Sequence, residues 1–357
     1  MQKLIVFYIV LAVLLFGVLI LVHEFGHFFT AKLSGVQVNE FSLFMGPALW
    51  KKQRGETLYA LRCIPIGGYC AMEGEDGDSD NPRAFTNAKV WKRLIILAAG
   101  SAMNFLTGLF IIALLIAFTA KGIPGRTVTQ IAPDRPFDNA QGLQIGDEIV
   151  SVDGEHVYIQ QDITILLDRD PDGRHDLTVL RNGEKTELKN VPLQRDYMDQ
   201  YGEAKYGFST DVRARSVGSI LSYTWNQSMD FVRMVRLGLS DLFTGRAGIK
   251  DMSGPVGIGS AVVEMGVQSE SVGLGILNVL NLFAFIAINL AVMNLLPIPA
   301  LDGGRIVCLL VTAAIEKITR RKINPKYEGY LHAGFMILLL AFMAFITFKD
   351  VFQIIGG

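Results

Sequence analysis

The chain has 357 residues, half of them apolar, with a mean hydropathy of +0.35 and a formal net charge of −1. So even a charge balance excludes a polyelectrolyte partner, and no nucleic acid is expected, while the apolar surplus points to membrane lipid as the surroundings. The three cysteines, Cys63, Cys70 and Cys308, contain no CxxC pair and announce neither a disulfide framework nor a zinc ribbon.

A bilayer core of ~30 Å takes about 20 apolar residues per helix. Four stretches qualify: Leu4 to Leu33, Leu94 to Phe118, Val272 to Leu296 and Tyr330 to Phe348. Residues 1–33 form the first predicted transmembrane helix, too long for a signal-peptide core and without a small-residue cleavage site before its end in "LVHEFGHFFTAKL". His23 and His27 share one helix face, and Glu24 lies roughly a third of a turn round from His23. Two neutral imidazoles at this spacing bind one zinc, and the neighbouring carboxylate is placed to take a proton from an attacking water. A charged group deep in a span costs roughly 2.5 to 3.5 kcal/mol on insertion scales, so His23, Glu24 and His27 together call for a partner, and a metal supplies one.

Residues 34–90 alternate in polarity at Val36 to Phe44 and Thr57 to Arg62, around Arg54-Gly55, which predicts β-hairpins. The acidic "EGEDGDSDNP" that follows reads as a solvated linker. Residues 91–119 are the second transmembrane helix, whose Gly100, Asn104 and Gly108 could be a packing stripe. Residues 124–195 show short β-rich runs punctuated by Asp153-Gly154, Asp172-Gly173 and Asn182-Gly183. Within them "GLQIGDEIVSVDG" resembles the signature of bacterial PDZ domains, which implies a groove that takes an extended peptide by strand addition. Residues 216–245 predict an amphipathic helix, either at the membrane surface or packed on that domain.

Residues 272–304 are the third transmembrane helix, broken by Pro297 and Pro299 ahead of "LDGG", and residues 328–349 are the fourth. Two histidines leave a tetrahedral catalytic site one protein ligand short. The candidates are Asp302, on irregular backbone of a kind tolerated at membrane depth only where it lines a cavity, and His332 in the fourth span, a setting where a lone histidine commonly serves as a hydrogen-bonding residue of the bundle. Lysine and arginine crowd the loops after the first and third spans, which makes those loops cytoplasmic and puts both termini and the segment from 120 to 271 on the outer side.

HEFGH in the first span and "NLLPIPALDG" after the third resemble the paired motifs of site-2 protease family intramembrane zinc metalloproteases. The single PDZ-like segment, "SGPVGI" and "AAGSAMNF" resemble the bacterial sigma-E protease branch of that family, although members of the branch often carry two PDZ domains in tandem. The resemblance implies Zn2+ held by His23, His27 and Asp302, Glu24 as general base, and a substrate site shaped by Asn294 and Pro297 with Asn104 nearby. It also implies a membrane-reentrant β-loop over residues 34–90. The expected fold is a polytopic α-helical membrane protein of four transmembrane helices, with cytoplasmic-side membrane-associated β-hairpins and an inserted α+β PDZ domain on the outer side. The expected function is zinc endopeptidase action on single-pass transmembrane proteins, such as anti-sigma factors and remnant signal peptides, in the bacterial inner membrane. A PDZ scaffold without metal and a metal transporter are the rival classes, the latter opposed by the lack of an evident internal repeat.

Overall fold

The computed structural model describes residues 2–75, 77, 79–119, 121–133, 135, 137, 142–170, 172–198, 203–320 and 326–356. Asp76 and Asp78 of the acidic run, and Arg321 and Lys322 of the basic loop, lie outside them. Along the chain come helix α1 (Gln2–Ser34), strands β1 (Val38–Arg54) and β2 (Thr57–Met72) and helix α2 (Val90–Thr119). Then follow β3 (Ile123–Ile131), β4 (Glu148–Val152), β5 (Glu155–His156), α3 (Gln160–Leu167), β6 (Arg174–Arg181), β7 (Glu184–Pro192), β8 (Tyr197–Met198), β9 (Ala204–Lys205) and β10 (Phe208–Arg213). The helices α4 (Val217–Thr244), α5 (Pro255–Gln268), α6 (Val272–Asn294), α7 (Asp302–Thr319) and α8 (Lys326–Gly356) complete it. Four of them, α1, α2, α6 and α8, are long and apolar enough to cross a membrane. The chain divides into two units, residues 1–111 with 235–357, and residues 112–234.

In the first unit α1 runs unbroken until Gly35, whose φ of 82° is open to glycine without strain and whose N–H bonds back to the Lys32 carbonyl. Tyr8, fully buried, fixes the first half of α1 against α5 and α6: a Cβ at Gly266 would lie 2.5 Å from its ring and one at Gly275 2.1 Å from its hydroxyl. Val262, Val279, Phe283 and Ala287 close the core around it. The sequence reading had no helix at α5. Its start is set by Pro255 at the first turn and by Asp350 of α8, whose Oδ2 accepts the N–H groups of Gly254 and Gly257 at 2.8 Å each.

Strands β1 and β2 form an antiparallel hairpin with several register shifts, bent where Phe44, Gly46 and Gly67 take positive φ. Its base packs with Ala31, Ile96, Leu97 and Leu309 in a second core. Glu56 at the tip pairs with Lys32 at 2.6 Å and Arg83 at 2.7 Å. Arg83 and then Lys32 hold the Glu56 carboxyl down at about 2. The third predicted span is the single helix α6, which stops at Asn294 ahead of the Pro297-Ile298-Pro299 turn, and a further helix, α7, starts at Asp302.

In the second unit the sheet runs in the order β10-β3-β4-β6-β7, with β5 on β4. Asp147 of the "GDEI" signature is buried and accepts two 2.8 Å bonds from Arg181 and a third from the Gln144 N–H. The sheet takes its edge strand β10 from beyond residue 195, so this domain reaches residue 213. Helix α4 turns polar residues inward. Arg233 is buried between Asp162 at 3.1 Å, Asp230 and the His156 carbonyl, and burial together with Asp162 pushes the Asp230 carboxyl up to about 7. Val217, Leu221 and Trp225 on its first turns are exposed.

Candidate metal centre

The site starts with a helix crossing that two glycines permit. A Cβ at Gly26 would lie 2.5 Å from the Ala99 carbonyl oxygen, and one at Gly100 would lie 2.3 Å from His27 Nε2 and 2.7 Å from His23 Cε1. With both side chains absent, the Ile96, Gly100 and Asn104 stripe of α2 faces the His27 and His23 stripe of α1. His27 Nδ1–H donates to the Ile96 carbonyl at 2.8 Å, which leaves the Nε2 lone pair free to point inward. Asn104 is buried, with its amide nitrogen 3.4 Å from His23 Nδ1 and its Oδ1 without a hydrogen-bond partner. The two ends of an amide exchange by rotation, and the turned amide accepts from His23 Nδ1–H, freeing that imidazole's Nε2 as well.

Asp302 arrives from the far end of the unit. It is the first residue of α7, and the chain before it folds back so closely that a Cβ at Gly303 would lie 2.2 Å from the Leu295 carbonyl oxygen and one at Gly304 2.2 Å from that of Ile298. Only glycine fits at either position, which accounts for the "DGG" of the sequence. Its Oδ2 lies 3.4 Å from Nε2 of both His23 and His27, and the two Nε2 atoms are 3.2 Å apart.

Three lone-pair atoms therefore face one another, and Asp302 Oδ2 is buried with no hydrogen-bond donor. Zinc bonds of ~2.0–2.1 Å in a tetrahedron separate neighbouring ligands by about 3.3–3.4 Å, the spacing seen here. The donor set, two imidazoles and one carboxylate, fits zinc.

Glu24 is half-buried beside the cluster on α1. Gly68 of β2 lets the hairpin reach it, since a Cβ there would lie 3.0 Å from Glu24 Cγ. Asn294 ends α6 and Pro297 is exposed in the following turn. His332, the other candidate ligand, is not in the cluster: its Nδ1 accepts the Ala300 N–H at 3.0 Å. The sequence reading missed Gly68 and the Ile96 carbonyl, because neither a bare backbone nor a carbonyl leaves a mark in residue type.

Two imidazoles on a helix of membrane length and one carboxylate at zinc-ligand spacing, with a glutamate beside them, define a candidate metal centre in a protein with four helices long and apolar enough to cross a membrane. The profile of peptidase family M50 matches residues 11–342. A Clostridium acetobutylicum protein named as a zinc metalloprotease is 36% identical over 346 residues, covering 97% of each chain. One of Fusobacterium nucleatum is 34% identical over 96% of this chain and 98% of its own. The zinc metalloprotease RasP of Oceanobacillus iheyensis is 26% identical over 96% and 98%. The chain belongs to peptidase family M50, the site-2 protease family, and is a zinc metalloprotease.

Proposed function

We propose that this protease cuts single-pass transmembrane proteins within or at the cytoplasmic edge of the bacterial inner membrane. The observation that carries the reading is the convergence at zinc-ligand spacing of His23 and His27, on the membrane-length helix α1, with Asp302 at the start of α7. When bound, zinc polarises the scissile carbonyl and acidifies water. Glu24 takes the proton of the attacking water and later passes it to the leaving amine. The Ile96 carbonyl and Asn104 hold the two imidazoles in the tautomer that leaves Nε2 to the metal. Asn294 and Pro297 border the substrate path beside Asp302.

A transmembrane substrate has every amide already paired, so it must unwind before water can attack. The β1–β2 hairpin, whose backbone reaches Glu24 at Gly68, offers strand pairing to the unwound stretch. The lysine and arginine distribution supports a cytoplasmic hairpin, with both termini and the β-rich domain outside. That domain is read as a PDZ: a groove of about 810 Å³ follows its edge strand β10 and is lined by Gln160, Ile163, Thr164, Tyr206, Phe208 and Thr210. Its role is to bind or filter substrates, anti-sigma factors and remnant signal peptides among them, and α4 with its exposed Val217, Leu221 and Trp225 rests on lipid.

Glu24→Gln tests the assignment. The amide keeps the shape but accepts no proton, so zinc content stays at the wild-type level while cleavage of a reconstituted substrate is lost. Near-wild-type cleavage by a zinc-loaded Glu24→Gln protein would remove Glu24 from the general-base role.

A further inference from the structure

We infer that His332 of α8 is a positioning residue for the metal centre: it holds the Ala300 turn in the strained backbone that sets Asp302. The inference rests on Asp302 being a zinc ligand.

Three observations converge on that turn. Ala300 has φ of 86°, a left-handed conformation that a residue with a Cβ adopts only under constraint. The turn around it is tightly wound, with Ile298 N–H bonded to the Leu296 carbonyl at 2.7 Å and Leu301 N–H to the Ile298 carbonyl at 3.1 Å. The Ala300 N–H itself finds its acceptor outside the turn, in Nδ1 of His332, with 31 intervening residues between them along the chain. Asp302 follows two residues later. A relaxed φ at Ala300 would swing Leu301 and Asp302 away from His23 and His27, since rotation at one residue displaces everything after it.

The bond also gives α8 a purpose in the unit. Most of its described side chains are exposed, yet among them His332 bonds to the Ala300 turn, and Lys349 and Asp350 bond to the segment that leads into α5 and to its first turn. At 1.5 Å rise per residue these points lie about 27 Å apart, close to the thickness of a bilayer core. The helix is a brace between the two faces of the membrane, and its end at His332 bears on the catalytic turn.

Acceptor position separates this role from simple packing. An asparagine at 332 carries its amide oxygen where histidine has Nδ1, while a glutamine carries its amide group nearer to Nε2. His332→Asn is expected to hold zinc against a competing chelator as the wild type does. His332→Gln and His332→Leu are expected to lose zinc affinity roughly 10–100-fold, the usual effect of removing a partner that orients a ligand. In the His332→Leu background, Ala300→Gly is expected to recover part of that loss, because glycine takes a φ of 86° without constraint. The readouts are zinc retention and the absorption spectrum of the cobalt-substituted protein, which reports ligand geometry without turnover.

Equal zinc affinity in His332→Gln and His332→Asn, whether both low or both normal, would overturn the inference. If His332→Leu does not accumulate, the Asn and Gln pair decides alone. Asp302→Ala is the control for the underlying reading. Zinc retained in Asp302→Ala would sink the ligand assignment itself, whereas zinc lost there with no difference across the His332 set would sink only the role of His332.

Discussion

Gly100 sits where any side chain would overlap His23 and His27, the proposed metal ligands, and at Gly108, two turns further along α2, a Cβ would lie 2.5 Å from the Ile288 side chain. Their substitutions separate two functions of one small-residue stripe. Gly100→Ala is expected to lower zinc affinity by more than the roughly 10–100-fold lost with an orienting partner, because the new methyl displaces the imidazoles themselves. Gly108→Ala overpacks against the Ile288 side chain and the Ala284 carbonyl oxygen and is expected to cost about 1–3 kcal/mol of stability with zinc affinity unchanged. Zinc titration and detergent unfolding of the two proteins check both statements. Asn104 belongs to the same scale: the sequence reading grouped it with the substrate site, and the structure sets its amide against His23. HExxH was legible because its two histidines are local on one helix. The contact of Asn104 with His23 was not, since it depends on how two helices cross.

Elements differed in the same way. Apolar runs announced α1, α2, α6 and α8, because a lipid-facing helix carries its surroundings in its composition. Helix α5 follows Ser253-Gly254 and opens at Pro255, contains Gly257, Gly259 and Gly266, and owes its place to Tyr8 and Asp350, both distant in sequence. Asp350→Ala removes the acceptor for two amides of its first turn and is expected to destabilise the protein by about 2 kcal/mol, read as a lower midpoint in detergent unfolding. An unchanged midpoint would show that other groups cap α5. The hairpin tip has a pH signature. Glu56 is held at about 2, below its unfolded value of 4.5, so its bonds to Arg83 and Lys32 contribute fully above 4.5 and are lost as pH falls toward 2. Hydrogen exchange of the tip amides is expected to quicken relative to the rest of the hairpin across that window, and Glu56→Gln is expected to remove the pH dependence.

At the scale of the whole molecule, the β-rich unit closes its sheet by pairing β10 with β3, the last strand with the first. Such pairing leaves no local pattern, which is why the sequence placed the end of the domain at residue 195. A deletion that tests its role therefore has to run from 124 through 213, or an orphaned edge strand remains. With the filter reading, the deleted protein is expected to cut substrates already trimmed outside at near the normal rate and to begin cutting untrimmed ones. A zinc-loaded deletion protein that cuts neither would show that the domain delivers substrate instead.

The distance along the chain between His27 and Asp302 also has a consequence in time. At roughly 5–20 residues per second of synthesis, Asp302 leaves the ribosome on the order of tens of seconds after the two histidines. Until then the nascent chain holds His23 and His27 without Asp302, one short of the proposed ligand set. Chains truncated ahead of the Ala300 turn are expected to retain no zinc after dialysis, and retention by such a fragment would contradict this order. With that ligand set, the proposed site is completed only after most of the chain has been made.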